Sequence, residues 1–259
     1  MEKLGLALGS GGARGYAHIG AIKALQEHNL EPDIITGSSI GSLIGVLYSY
    51  YRSAEKIEEI LLASHWRDAL GMAGISRGGV FSAEKVEKFF GNFINDARLE
   101  ELPIPVGVVA TDFHTANTVL IKKGDAAQAM QASAAFPLFI EPLKVGDKVL
   151  WDGGLSSQVP AEAARRMGAT KVIGVNLNKS FGNSKDYDSL NPYAIGRRAI
   201  ETLQYHMTEM SMINVDIEIS PDLGSTHFLG VGTLIKKDEG KEVIKAGYKE
   251  TKKAIKEIR

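Results

Sequence analysis

The sequence contains no cysteine. Disulfide staples, thiolate catalysis and cysteine-ligated metal centres are therefore excluded. No stretch approaches the ~20 consecutive apolar residues that a membrane-spanning helix needs. Near the N-terminus a lysine is followed only by the short apolar run Leu4–Leu8 before glycines begin, so the apolar core of a secretory signal is missing. An excess of one charge is missing too. The 30 Lys+Arg against 31 Asp+Glu leave a net charge of −1, without the basic field that nucleic-acid binding draws on. No spacing of His, Asp and Glu suggests a catalytic metal site. The expectation is a cytoplasmic protein that meets membranes only peripherally, with no nucleic-acid partner, no cofactor and no metal.

The chain has 259 residues, 44% hydrophobic and 24% charged, enough to bury a substantial core. No repeat, low-complexity tract or linker divides it, so residues 1–259 read as one domain. Short apolar runs alternate with amphipathic stretches. Leu4–Leu8 reads as a buried strand, 16–28 as a helix, 33–36 as a strand and the stretch to Tyr51 as a helix, a βαβα start that implies a parallel sheet. Further helices are expected over 54–64, 83–94, 126–135, 160–168, 193–214 and 241–258. Strands are expected over 106–111, 117–122, 148–151, 172–177 and 215–220. The Gly-containing segment 71–81 and the polar loop 181–192 are candidate covers for a site.

Three motifs fall at strand ends. Gly37-Ser38-Ser39-Ile40-Gly41 matches G-x-S-x-G between an apolar strand and a helix, where a serine hydroxyl is exposed on a sharp turn and glycines relieve the crowding. With 28 glycines in the chain, such a pattern arises readily by chance, and a capping serine at a βα turn explains it equally well. Gly9-Ser10-Gly11-Gly12-Ala13-Arg14-Gly15 also links a strand to a helix, a place where backbone amides face an anion. A phosphate loop of the Walker type fails, because no Gly-Lys-Ser/Thr ends it. A dinucleotide fingerprint fits poorly, with Arg14 at the third glycine position and Ile34-Ile35 where a ribose-binding acid belongs. An oxyanion hole for acyl transfer remains. The third motif, Trp151-Asp152-Gly153-Gly154, offers a carboxylate as base, although Asp-Gly-Gly alone is more often a surface turn.

A G-x-G-G-x-R-G loop, a serine elbow within the first forty residues and a late Asp-Gly-Gly together resemble the patatin-like phospholipase family. Residues 16–25, 80–90, 110–112 and 132–137 look like further blocks of that family, and the resemblance spans residues 4–176. It implies a three-layer α/β/α sandwich with a mostly parallel central sheet, and a Ser-Asp dyad without histidine. Carried over, Ser39 is the nucleophile and Asp152 the base. Gly11, Gly12 and Ala13 form the oxyanion hole, and Gly9, Arg14, Gly15, Gly37, Gly41, Gly153 and Gly154 support the motifs. The substrate class would be a lipid or other acyl ester. Ser10 departs from the family, in which many members carry another glycine there.

Other residues compete. Of His18, His28, His65, His114, His206 and His227, the last two follow Ser39 and Asp152 in the chain order of α/β-hydrolases, but that fold builds several strands before its elbow and here one βα unit precedes it. Asp112 is a rival base. Arg14 serves either to hold an anionic head group or to brace the loop. The helix bearing Met207, Met210, Met212 and Ile213 reads as core, and the terminal lysine-rich helix as a solvated face. Two readings from other classes stay open: a catalytically idle regulatory member of the same fold, and a nucleotide- or phosphate-binding protein using the glycine loop.

Overall fold

The structure is a computed structural model and describes residues 2–64, 79–179, 192–223 and 237–258. Its centre is an eight-stranded sheet. Strands β10 (Ile217–Ile219), β9 (Lys171–Val175), β1 (Leu4–Leu8), β2 (Ile34–Ser38) and β4 (Val106–Asp112) lie side by side in that order and run parallel. From β4 the sheet continues antiparallel through β5 (Thr118–Ile121) and β8 (Lys148–Trp151), and β7 (Leu143–Val145) pairs with β8. A separate parallel pair joins β3 (Gly79–Phe81) to β6 (Leu138–Ile140).

Side chains on successive strand residues point to opposite faces, and each face has its own core. Leu6, Leu8, Ile35, Ile173 and Val175 enter a large core. It is covered by α1 (Tyr16–Glu27), α2 (Ile40–Tyr51), α3 (Ala54–Ala63), α4 (Ala83–Gly91), α5 (Ala126–Ala134) and α8 (Lys237–Ile258). Ala7, Ile34 and Val172 face a smaller core with Ala161 and Ala164 of α6 (Ala161–Arg166). Met212, just past α7 (Pro192–Ser211), packs on the same side. The result is the expected three-layer α/β/α sandwich with a mostly parallel central sheet. The small residues on the α6 side let that helix sit close to the sheet. Helices α1 and α8 also approach closely: a Cβ at Gly20 would lie 1.9 Å from the Ile244 carbonyl oxygen, and one at Gly247 would lie 2.0 Å from that of Ala17.

Some boundaries move for physical reasons. Strand β2 runs to Ser38, two residues past the expected end at Thr36, because Gly37 and Ser38 pair with Val108 and Val109 of β4. Helix α8 starts at Lys237, ahead of the expected 241, with Asp238 and Glu239 placed to favour its N-terminal dipole. Strands β6 and β7, three residues each, were not anticipated, since runs so short carry no periodicity of their own. Of the two candidate covers, 71–78 and 181–191 lie outside the described residues.

The helix over 193–214 departs in part from its reading as core: Met207 and Met212 are half-buried, Met212 against the smaller core. Met210 is 70% and Ile213 80% exposed. The side of α7 turned to the protein is instead polar, with Gln204 and Thr208 buried.

Candidate active site

The serine motif sits where β2 ends and α2 begins. Ser39 has φ 53° and ψ −123°, a conformation L-residues seldom adopt, at a cost on the order of 1–3 kcal/mol. The glycines on either side make the turn sterically feasible. A Cβ at Gly41 would lie 2.1 Å from the Leu8 carbonyl oxygen, and one at Gly37 would lie 2.4 Å from that of Gly41. The strained residue is held from both sides. Its N–H donates to Ser133 Oγ at 2.8 Å, and the Ser133 hydroxyl donates to the Val109 carbonyl at 2.6 Å. Its carbonyl accepts from the Ser42 amide at 2.9 Å and the Ser42 hydroxyl at 2.6 Å.

Sheet register explains why Asp152 arrives at the same point. Along β4, Ser38 of β2 pairs with Val109 and Trp151 of β8 with Thr111. Strand β5 pairs with β4 over residues 108–111 and occupies one edge there. Strands β2 and β8 must therefore share the other edge, end to end. They run in opposite directions, so their C-terminal ends face each other, and the next residues are Ser39 and Asp152. The Ser39 hydroxyl donates to Asp152 Oδ2 at 2.7 Å. Asp152 Oδ1 accepts the Gly154 amide at 2.7 Å, and the Thr111 hydroxyl donates to the Asp152 carbonyl at 2.8 Å.

Asp152 is completely buried. Burial pushes its carboxyl up to about 7, against the opposing pull of the bonds from Ser39 and Gly154. A carboxylate that is half protonated near neutral pH, bonded to a nearly buried hydroxyl, is suited to accept and return a proton.

The glycine loop leaves β1 one βα unit earlier and forms a 3-10 turn over Gly12–Gly15, with Gly12 at φ 54°. Its first amides are spent on the scaffold: Gly9 donates to the Val175 carbonyl at 3.1 Å and Ser10 to that of Gln158 at 2.8 Å. Among the described residues, the amides of Gly11, Gly12 and Ala13 have no acceptor. Donors held in this way at a helix entrance suit an anion. Arg14 donates to the Leu177 carbonyl at 3.0 Å, and burial brings its guanidinium down to about 10, with Glu201 opposing. The bond to Leu177 favours the bracing reading of Arg14.

The competing residues go elsewhere. Asp112 accepts the amides of Thr115 and His114 at 2.9 Å each and caps the turn after β4; the Thr115 amide first of all holds its carboxyl below the usual range. His18 is buried and bonds the Gly9 carbonyl at 2.7 Å, so its Nε2 carries the proton. Burial brings His18 down to about 4, leaving it a neutral brace for the loop. His28 bonds the Ala24 carbonyl at 2.8 Å, while His114 and His206 are exposed. None of these four bonds Ser39 or Asp152; His65 and His227 lie outside the described residues. Among the described residues no group of His, Cys, Asp and Glu is arranged to hold a metal.

Sequence reasoning missed Ser133, Gln158 and Asn178, all buried beside these motifs. A buried polar residue near a glycine motif is a weak signal in sequence, because its burial is known only once the fold is.

A family model described as patatin-like phospholipase matches residues 6–165. An uncharacterized NTE family protein of Mycobacterium tuberculosis is 36% identical over 186 residues, covering 69% of this chain and 50% of that protein. Patatin-like phospholipase domain-containing protein 6 of Homo sapiens is 32% identical over 202 residues, covering 73% of this chain and 14% of that protein. The chain thus spans about half the length of the mycobacterial relative and a small part of the human one. The crystal structure of VipD from Legionella pneumophila resembles it in fold, with a TM-score of 0.59 at 15% identity over 99% of this chain and 67% of that one.

Proposed function

The chain belongs to the patatin-like phospholipase family, and from that premise we propose that it is a serine hydrolase of lipid acyl esters, phospholipase A-like, with Ser39 as nucleophile and Asp152 as base. The observation that carries this reading is the 2.7 Å hydrogen bond from Ser39 Oγ to Asp152 Oδ2, made by a serine held at positive φ, with the amides of Gly11, Gly12 and Ala13 left without acceptors among the described residues.

The chemistry follows from that bond. Ionised Asp152 accepts the Ser39 proton as Oγ bonds to the ester carbonyl carbon. The carbonyl oxygen becomes an anion, stabilised by the amides of Gly11, Gly12 and Ala13. Collapse breaks the bond to the alcohol oxygen, which takes the proton from Asp152 and departs, leaving Ser39 acylated. Water then attacks the acyl carbon and gives its proton to Asp152. Release of the carboxylic acid returns a proton to Ser39 and closes the cycle. No histidine is needed, because the raised affinity of Asp152 brings the base into the range where it works near neutral pH.

No helix among the described residues is long and apolar enough to cross a membrane. A substrate within a bilayer would be met at its surface. Exposed Ile195, Leu203 and Met210 of α7, and Ile213 of the 3-10 turn that follows it, recur at near-helical spacing and support peripheral contact there.

Ser39→Ala and Asp152→Asn are each expected to lower hydrolysis of short- and long-chain acyl esters by about 10³-fold or more. A fluorophosphonate is expected to label wild type at Ser39. Near-wild-type activity in Ser39→Ala would sink the reading.

A further inference from the structure

Between the glycine loop and the Asp152 turn lies a small, buried polar bridge. Gln158 is 0% exposed and stands four residues after Gly154. Its side-chain Nε2 donates to the Gly154 carbonyl, and its Oε1 accepts from Asn178 Nδ2 at 2.8 Å. Asn178, beyond the end of β9, also donates from Nδ2 to the Ser10 carbonyl at 3.3 Å. The backbone of Gln158 completes the bridge, its carbonyl accepting the Ser10 amide at 2.8 Å and its amide donating to Ser211 Oγ of α7 at 3.2 Å.

Ser10 is thus gripped at both its N–H and its C=O, one residue before the unspent amides. Gly154 is gripped at its C=O by Gln158, while its N–H holds Asp152 Oδ1. We propose that Gln158 and Asn178 are positioning residues that lock the oxyanion loop and the Asp152 turn into one geometry, through the side-chain bridge from Gly154 by way of Gln158 and Asn178 to Ser10. The inference rests on the hydrolase reading of the same site.

Two physical arguments carry it. A glycine-rich loop has little stiffness of its own, yet oxyanion donors act only when held close to their final positions. The stiffness has to come from what the loop is bonded to. Buried amides also cost free energy unless their donors and acceptors are matched. Here each partner dictates the orientation: the carbonyls of Gly154 and Ser10 only accept, so both side-chain nitrogens must face them, and Gln158 Oε1 is left to meet Asn178.

Gln158→Leu, Asn178→Ala and the double variant test this, with kcat and KM on a soluble acyl ester and affinity for a trifluoromethyl ketone. Ser39 Oγ adds to the carbonyl carbon of that ketone while its proton passes to Asp152, so the adduct reports the oxyanion site. Each single variant is expected to lose about 10- to 100-fold in kcat with KM within about twofold. Ketone affinity should fall in step. The double variant should be little worse than the worse single, since both cut one bridge. Where Gln158→Leu fails to fold, Gln158→Asn carries the same test, keeping the amide but falling short of Gly154.

Folded variants with wild-type kcat and ketone affinity, or with a change in KM alone, overturn the inference and leave the hydrolase reading intact. A wild-type chain that neither cleaves acyl esters nor labels at Ser39 overturns both.

Discussion

A carboxyl group buried without a counter-charge suits Asp152 to the role of base proposed above and also makes it costly. Its affinity for the proton is raised to about 7 by burial, so the folded chain holds that proton more tightly than the unfolded one does. The sign follows. Below the ordinary carboxylate range of about 4 both states are protonated and Asp152 costs nothing. As pH rises from about 4 to about 7 the unfolded state ionises first and stability falls, then levels off above the folded value. Asp152→Asn is therefore expected to be more stable than wild type at pH 8, by on the order of a few kcal/mol, with the gain shrinking toward pH 4. Urea unfolding across that range checks it. Activity runs the other way: wild-type kcat/KM should rise through about pH 7 as the base ionises. At this scale the sequence was informative. Ser39, Asp152 and the glycines were legible because each motif states a local backbone need. Ser133 and Gln158 were not legible, because a serine or glutamine has no patterned reason to be buried.

Among the elements, α7 is the one whose pattern misled. The methionines and Ile213 of this helix and the turn after it suggested a packed face, yet Met210 and Ile213 point outward while Gln204 and Thr208 are buried. Amphipathic spacing tells which residues share a face but not which face meets the protein; here polar partners near Gln158 take the inner side. If the outer face meets lipid, replacing both Leu203 and Ile213 with Gln should reduce hydrolysis of vesicle-borne substrate several-fold. Cleavage of a soluble short-chain ester should stay within about twofold of wild type, because neither side chain belongs to the site. Equal losses on both substrates would speak against membrane contact through α7. By contrast, β1, α1 and α2 were readable almost to the residue and β2 to within two, since strand, glycine turn and helix alternate there without ambiguity.

For the whole molecule, strand order ties the two ends of the chain together. Strand β9 lies between β1 and β10, and α8 packs on α1, so late segments complete the sheet and the core begun by the first thirty residues. We expect one cooperative unit in place of two domains. Ile244→Ala, which empties a buried position of α8, should cost about 2–5 kcal/mol and leave a single unfolding transition. Two separated transitions in thermal or urea unfolding would contradict that.

By itself the sequence determined the parts: a parallel sheet with helices, a serine on a strained turn, a glycine-rich loop at a helix entrance and an aspartate at a strand end. These are local matters, set by glycine sterics, by periodicity and by the shortage of other candidate groups. Tertiary structure alone decided that the parts meet. Strands β2 and β8 share one edge of β4 end to end, and only that register delivers the Ser39 hydroxyl to the Asp152 carboxylate. The bridge from Gly154 to Ser10 likewise needs Gln158 and Asn178, twenty residues apart, to converge in the interior. Pairing between segments more than a hundred residues apart depends on register and burial, and neither is written in any one stretch of the chain.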